Sequence, residues 1–217
     1  MGDIMRRRGM MKEASGGGGV LPAGYTELKK LISNKNQQID TGFYPTFATD
    51  IYFRFVFEVL EVNRTQIYFG NYDDKNSNQI SQLVQVSNRF RLDRYFAGSS
   101  AYTGTITINT DYEYVQDHDQ VTCNGKTLTV PSDYSATRQL SIFARGGEAS
   151  TNAVMAFYEA IYIDNTDTIA LHLLPALRDY DSKPGLYDVA RDVFLTNAIT
   201  GHEFGYETMD GTVVNPS

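Results

Sequence analysis

The chain has 217 residues, of which 41% are apolar, and its aromatic residues are 15 tyrosines and 12 phenylalanines, without tryptophan. This composition supplies an ordinary hydrophobic core and excludes an intrinsically disordered protein. A formal net charge of −7 argues against a nucleic-acid-binding protein, because phosphate contact requires clustered lysine and arginine.

The first element is a basic, methionine-rich arm that ends in a run of four glycines. Residues 1–20 carry a net charge of +2, which leaves −9 for the rest, and a glycine run behaves as a flexible coil. We therefore divide the chain into an arm and linker (1–19), a sandwich (20–207) and a C-terminal tail (208–217). The arm is either a solvated terminus or a tether that becomes ordered on a partner. As a tether, it would make contact through Met5, Arg6, Arg7, Arg8, Met10 and Met11.

Neither a secretory signal nor a membrane span is predicted. The basic start lacks the apolar region of a signal peptide, and no apolar run approaches the ~18 residues of a membrane-spanning helix. We therefore expect synthesis in a cytoplasm, with no membrane among the partners.

After Leu21 the apolar residues recur with a period of two, which is typical of strands. In TDIYFRFVFEV (49–59) one face carries Ile51, Phe53, Phe55, Phe57 and Val59. About a dozen such runs predict an antiparallel sandwich or barrel. Asn124-Gly125 favours a type I′ hairpin turn, because both residues tolerate positive φ. Only YTELKKLISN (25–34), which is ambiguous, and YDSKPGLYD (180–188), which Pro184 and Gly185 interrupt, resemble helices.

Cysteine and histidine are too few and too scattered for a reactive centre. Cys123 is the only cysteine, which excludes an intramolecular disulfide, and we expect it to be a buried apolar residue. His118, His172 and His202 lack the spacing of a helical zinc site, so we expect each to be structural.

The acidic residues do not form a recognisable catalytic motif. A retaining glycosidase needs two carboxylates ~5–5.5 Å apart. Asp111, Glu113 and Asp117 could share one strand face, but exposed faces of sandwiches are normally charged. We therefore predict a solvated face, no catalytic residues and no enzymatic activity.

One loop, NYDDKNSNQ (71–79), concentrates oxygen ligands of the kind that Ca²⁺ accepts. It lacks the glycine and the distal glutamate of an EF-hand, so a polar hairpin loop is the main interpretation and no cofactor is assigned. Calcium or glycan binding stays open as the alternative, through Tyr72, Asp73, Asp74, Asn76 and Asn78.

Two longer segments carry a resemblance to a known family: LPAGYTELKKLISNKNQQIDTG near the start (21–42) and LLPALRDYDSKPGLYDVARDVFLTNAITGHEF at the end (173–204). Both resemble concanavalin A-like, laminin-G-like jelly-roll domains found in tailed bacteriophages and in gut bacterial prophages. The resemblance covers most of residues 20–206 and is specific at its two ends. It implies an all-β, antiparallel two-sheet jelly-roll sandwich with a short flexible N-terminal arm.

The closing segment is interpreted as a signature of the fold rather than of chemistry. Pro184-Gly185 is predicted to form a turn, with Asp188 and Asn197 bonding nearby backbone in further turns. We expect Leu186, Tyr187 and Val189 to pack against the edge of the sandwich. We expect Val193, Phe194 and Leu195 to add an apolar strand, and Phe204 to dock the end of the segment.

The jelly-roll fold that the resemblance implies hosts binding modules, shell proteins and hydrolases alike, so the expectation of a function without enzymatic activity rests on the missing catalytic motif. We expect a phage virion protein, either a capsid decoration, a head fibre or a tail component, whose arm binds other virion proteins. We also expect a homo-oligomer or many copies on one particle. The alternative is a carbohydrate-binding or adhesion module that recognises host or mucus glycans.

Overall fold

A computed structural model of the chain describes residues 20–47, 51–71, 80–95, 99–129, 134–135, 138–144 and 152–217. The described residues form nineteen strands and no helix. The strands in chain order are β1 (Tyr25–Ile32), β2 (Ile39–Asp40), β3 (Thr46–Phe47), β4 (Tyr52–Val59), β5 (Gln66–Asn71), β6 (Ile80–Val86), β7 (Arg89–Tyr95), β8 (Ser99–Thr105), β9 (Thr110–Asp117), β10 (Gln120–Cys123), β11 (Lys126–Thr129), β12 (Tyr134–Ser135), β13 (Ser141–Ile142), β14 (Met155–Ile163), β15 (Ile169–Arg178), β16 (Lys183–Asp188), β17 (Val193–Leu195), β18 (Gly205–Thr208) and β19 (Val213–Val214).

These strands form two antiparallel sheets and one short separate pair. The larger sheet has the order β11-β10-β9-β4-β14-β1-β15-β16-β17, with β18 paired to β1 and β19 paired to β18. The smaller sheet has the order β2-β13-β5-β6-β7-β8, and β3 pairs with β12. The predicted all-β, two-sheet antiparallel sandwich is confirmed.

The core lies between the two sheets and is rich in phenylalanine. The period of two in β4 places Phe55 and Phe57 on the inner face, where both are fully buried. Phe55 lies 4.9 Å from Phe69 and Phe57 lies 4.7 Å from Tyr68, measured between ring centroids, so β4 of the larger sheet packs on β5 of the smaller one. The side chains on the opposite face of β4 therefore point away from the core.

β1, β14 and β15 each pair with the other two, and all three pairings are antiparallel. Three straight strands cannot all be mutually antiparallel, so these strands must bend. Register shifts lie between Leu28 and Lys30 in β1 and between Phe157 and Glu159 in β14, as expected for bulges, which bend a strand. The ambiguous window at 25–34 thus contains a bent strand at the centre of the larger sheet.

Local signals in the middle of the chain are confirmed. Asn124 and Gly125 connect β10 to β11 with φ values of 45° and 71°, the positive range that a type I′ turn requires. Cys123 is a buried free cysteine, and desolvation raises the pKa of its thiol.

The predicted turn at Pro184-Gly185 is wrong, because both residues lie within β16. The turn comes earlier, at residues 179–182, where Ser182 has a φ of 54°. Glycine is needed at position 185 because the paired strand β17 approaches it closely. A Cβ there would lie 2.8 Å from the ζ carbon of Phe194 and closer still to the carbonyl oxygen of Leu195.

The other expectations for the closing segment are confirmed except for Val193, which lies in the expected strand β17 but is 42% exposed. Leu186 is fully buried in the core, and Phe204 docks with its ring centroid 4.9 Å from that of Phe143. The side-chain oxygen of Asn197 accepts hydrogen bonds from the backbone N–H of Gln38 at 2.9 Å and of Ile199 at 3.1 Å. Asp188 Oδ1 likewise accepts from two backbone N–H groups. This segment therefore ties the end of the chain to its beginning.

Candidate functional site

The outward face of the larger sheet carries the predicted acidic array. Since Phe53, Phe55 and Phe57 point inward, Arg54 and Glu58 point outward. The register places Glu58 opposite Asp111 and Val56 opposite Glu113. Asp111, Glu113 and Asp117 therefore share one strand face, as the sequence pattern indicated.

Arg54 on β4 links two carboxylates, one from each neighbouring strand. It donates hydrogen bonds to Glu113 on β9 and, at 2.5 Å, to Glu159 on β14. The second oxygen of Glu159 lies 3.0 Å from Nε2 of His172, which is buried. Burial raises the pKa of Glu159, but His172 and Arg54 lower it more, and the net shift is downward.

A second ion-pair cluster lies further along the same face. Lys30 Nζ lies 2.8 Å from Glu58 and 3.1 Å from Glu207, and Lys29 Nζ lies 2.5 Å from Glu207. Hydrogen bonds from the two lysines lower the pKa of the Glu207 carboxyl. The Tyr158 hydroxyl donates to Glu58 at 3.1 Å, and desolvation raises the pKa of this phenol.

These contacts show that acidic side chains on this face form ion pairs with basic side chains of neighbouring strands. A general acid keeps its proton near neutral pH, which requires a raised carboxyl pKa. Glu159 and Glu207 are shifted in the opposite direction, as expected for carboxylates that stay ionised beside lysine, arginine or histidine. The arrangement therefore suits cross-strand cohesion better than proton transfer.

A pocket of about 360 Å³ opens at the end of the sandwich where β14 turns into β15. Its volume lies within the ~300–1,000 Å³ of small-molecule sites. It is lined by Phe43, Tyr44, Thr46, Ile51, Tyr162, Asp164, Asn165 and Ala170. Two regions that are distant in sequence, one between Phe43 and Ile51 and the other between Tyr162 and Ala170, therefore meet around one cavity.

The β14–β15 turn fixes Asp164 at the pocket. Oδ1 of Asp164 accepts hydrogen bonds from the Thr166 N–H at 2.8 Å, the Thr166 hydroxyl at 2.7 Å and the Thr168 N–H at 3.0 Å. Burial raises the pKa of this carboxyl, but the hydrogen bonds lower it more, so the net shift is downward. Asp164 is therefore an ionised group with a fixed orientation.

Aromatic rings form the apolar part of the pocket. The rings of Phe43 and Tyr162 meet edge to face with centroids 5.0 Å apart, and the Tyr162 hydroxyl donates to the carbonyl of Thr46. Tyr44 is 60% exposed, so one aromatic side chain is available to a ligand. An open ring beside an ionised carboxylate combines an apolar surface with an oriented polar group.

A second exposed aromatic group lies at the opposite end of β15. Tyr180, in the turn before β16, is 79% exposed, and the guanidinium of Arg178 lies 4.6 Å from its ring centroid and 5.1 Å from that of Phe194. The same guanidinium forms two hydrogen bonds to Asp181, at 2.6 and 3.0 Å. The exposed ring of this stack is a second candidate contact surface.

Both sets of site residues predicted from the sequence lie outside the described residues. They are the arm positions Met5, Arg6, Arg7, Arg8, Met10 and Met11 and the loop positions Tyr72, Asp73, Asp74, Asn76 and Asn78. In the part of the chain that is described, no group of three or more histidine, cysteine or acidic side chains could hold a metal ion. The same part contains no helix long and apolar enough to cross a membrane.

Sequence reasoning missed the pocket. Its local signals are the aromatic stretch FYPTF (43–47) and the turn sequence DNTDT (164–168), which lie more than a hundred residues apart. Each reads by itself as an ordinary loop. Comparisons with protein-family models and with curated proteins give no match for the chain.

Proposed function

We propose that the chain is a non-enzymatic structural or accessory protein of a bacteriophage particle, anchored through residues 1–19 and displaying its sandwich outward. The observation that carries the proposal is the closing segment, because its resemblance to phage-associated laminin-G-like domains falls on residues that build the fold. Gly185 allows the close approach of β17 to β16, Leu186 lies in the core and Phe204 docks on Phe143. A closing segment whose residues build the fold is what we expect of a sandwich domain that is displayed on a particle.

The charge pairing of the outward face supports the non-enzymatic part of the proposal. Glu58, Glu113, Glu159 and Glu207 each contact a lysine or an arginine. A glycoside hydrolase would require one carboxyl that holds a proton and a second that is free to attack or to activate water. These carboxylates are instead engaged in cross-strand pairs.

Mass spectrometry of purified particles tests the virion proposal. Particles are induced from a bacterial strain that carries the gene and are purified on a density gradient. Peptides of this chain should follow the major capsid protein through the gradient at a constant ratio, while a non-virion protein of the same prophage should be lost. Recovery of the chain only in the soluble lysate would contradict the proposal.

A second candidate function, recognition of host or mucus glycans, is favoured by the pocket beside Tyr44 and Asp164. Protein sites for sugars combine an aromatic face with a few oriented polar groups, and this pocket contains both. Many copies on one particle would strengthen a weak single site through avidity. The two functions are compatible, since a displayed sandwich could also bind the host surface.

A glycan array tests this second function. The full chain is applied as a multivalent conjugate to immobilised neutral, amino and acidic glycans, with a Tyr44→Ala conjugate as the matched control. Binding by the natural chain that falls strongly in the Tyr44→Ala conjugate would support glycan recognition at the pocket. Absence of binding across the array would contradict it and leave the virion proposal untouched.

A further inference from the structure

The pocket at the β14–β15 turn carries a net negative charge. Of its lining residues in the described ranges, only Asp164 has a formal charge at neutral pH. Its Oδ1 is occupied by three hydrogen bonds from Thr166 and Thr168, whereas no described residue bonds to Oδ2. One carboxylate oxygen is therefore held by the turn while the other is available to a ligand.

One cation, Arg191, packs on the lining residue Phe43 and is already compensated. The guanidinium of Arg191 lies 5.6 Å from the ring centroid of Phe43. It donates one hydrogen bond to Asp188 and another, at 2.7 Å, to the carbonyl of Thr41. Since Arg191 is paired with Asp188, it does not neutralise Asp164, and the pocket stays acidic.

The neutral groups of the pocket suit a ring that has one apolar face and several hydroxyls. Tyr44 presents an exposed aromatic surface, against which the C–H face of a sugar could pack. The side-chain amide of Asn165 makes no hydrogen bond to the described residues and so offers both a donor and an acceptor. The aromatic surface, the amide and Asp164 Oδ2 all border one cavity.

We infer that this pocket binds a hexose ring that is uncharged or carries an amine, and that it rejects sugars bearing a carboxylate. The inference rests on the glycan-binding function proposed above and names its ligand class. An amine or hydroxyl would donate to Asp164 Oδ2 in a charge-assisted hydrogen bond. A sugar carboxylate at the same position would place two like charges together, with no cation among the described lining residues to separate them, which opposes binding.

Matched monosaccharides measure this selectivity directly. The probes are methyl glycosides in the gluco, galacto and manno series, each as the neutral hexose, the amino hexose and the uronic acid. Binding to the full chain is followed by NMR titration at neutral pH. In the series that binds, the uronic acid should have an affinity at least about tenfold lower than those of the neutral and amino sugars. One charge-assisted hydrogen bond contributes about that factor.

Two variants and two matched controls locate the site. Asp164→Asn preserves Oδ1 as the acceptor of the turn but removes the charge, so it should weaken amino-sugar binding about tenfold and abolish the discrimination against the uronic acid. Tyr44→Ala should reduce binding of every sugar. Asp167→Asn removes a charge from the same turn outside the pocket lining. Tyr180→Ala removes an exposed tyrosine at the far end of β15, and the ten residues of that strand place it about 30 Å from the pocket. Neither control should change binding.

The outcomes separate this inference from the function on which it rests. Equal or tighter binding of the uronic acids would overturn the selectivity and leave glycan binding in place. Loss of binding in Tyr180→Ala, with Tyr44→Ala unaffected, would overturn the pocket as the site. Absence of binding for every probe, together with a silent glycan array, would overturn both the inference and the glycan-binding function.

Discussion

Replacing Gly185 with alanine should destabilise the sandwich, because β17 leaves no room for a side chain above β16. The added Cβ would lie 2.8 Å from the ζ carbon of Phe194 and closer to the carbonyl oxygen of Leu195, and the latter is backbone that cannot rotate away. The three-residue pairing of β16 with β17 would have to shift. This shift would also move the Phe194 ring, whose centroid lies 5.2 Å from that of Tyr25.

Overpacking of this kind costs about 1–3 kcal/mol of unfolding free energy. For a chain of this size, that loss corresponds to a fall in Tm of about 2–12 °C. The assay is urea and thermal unfolding followed by tyrosine fluorescence and circular dichroism. Gly104→Ala in β8 is the control, because a Cβ at position 104 meets nothing within 4 Å. The control should be neutral or slightly stabilised, by up to about 1 kcal/mol. Equal stability of the two variants, within about 0.5 kcal/mol, would refute the close-approach argument.

Three further predictions concern charge, assembly and chemistry. The pKa of Glu159 is lowered in the folded state from an ordinary value of 4.5. The ionised carboxylate therefore stabilises the fold above that pH, and this stabilisation is lost as pH falls through the lower folded pKa. Glu159→Gln should flatten the acid dependence of stability measured by thermal unfolding at a series of pH values. Deletion of residues 1–15 should leave the Tm nearly unchanged and abolish incorporation into particles, and equal incorporation would count against the arm as an anchor. Incubation with gut and bacterial-surface polysaccharides should release no new reducing ends; release that disappears in Glu113→Ala or Asp117→Ala would instead establish a hydrolase.

The parts of the fold that local rules control were predictable. The alternation in TDIYFRFVFEV placed the phenylalanines of β4 on the inner face, because successive side chains of a strand point to opposite sides. Asn124-Gly125 predicted a hairpin because both residues accept positive φ without strain. Each of these signals lies within a few residues of the feature that it specifies.

The wrong prediction at Pro184-Gly185 has a tertiary cause. Proline and glycine are common turn residues, so the pair indicated a turn. In the folded chain, however, Pro184 pairs with Leu177 in the sheet, and Gly185 is needed because Phe194 and Leu195 of the paired strand leave no room for a Cβ. The requirement at position 185 comes from a neighbouring strand.

The sequence by itself determined the all-β class, the inward face of β4, the burial of Cys123 and the turn roles of Asp188 and Asn197. These follow from strand periodicity, side-chain polarity and turn chemistry, which act over short stretches of chain. The tertiary structure alone decided the bent junction of β1, β14 and β15 and the meeting of Tyr44 with Asp164 at one pocket. Register and neighbour choice depend on contacts between residues far apart in the chain, and no local pattern encodes which distant segments will share a cavity.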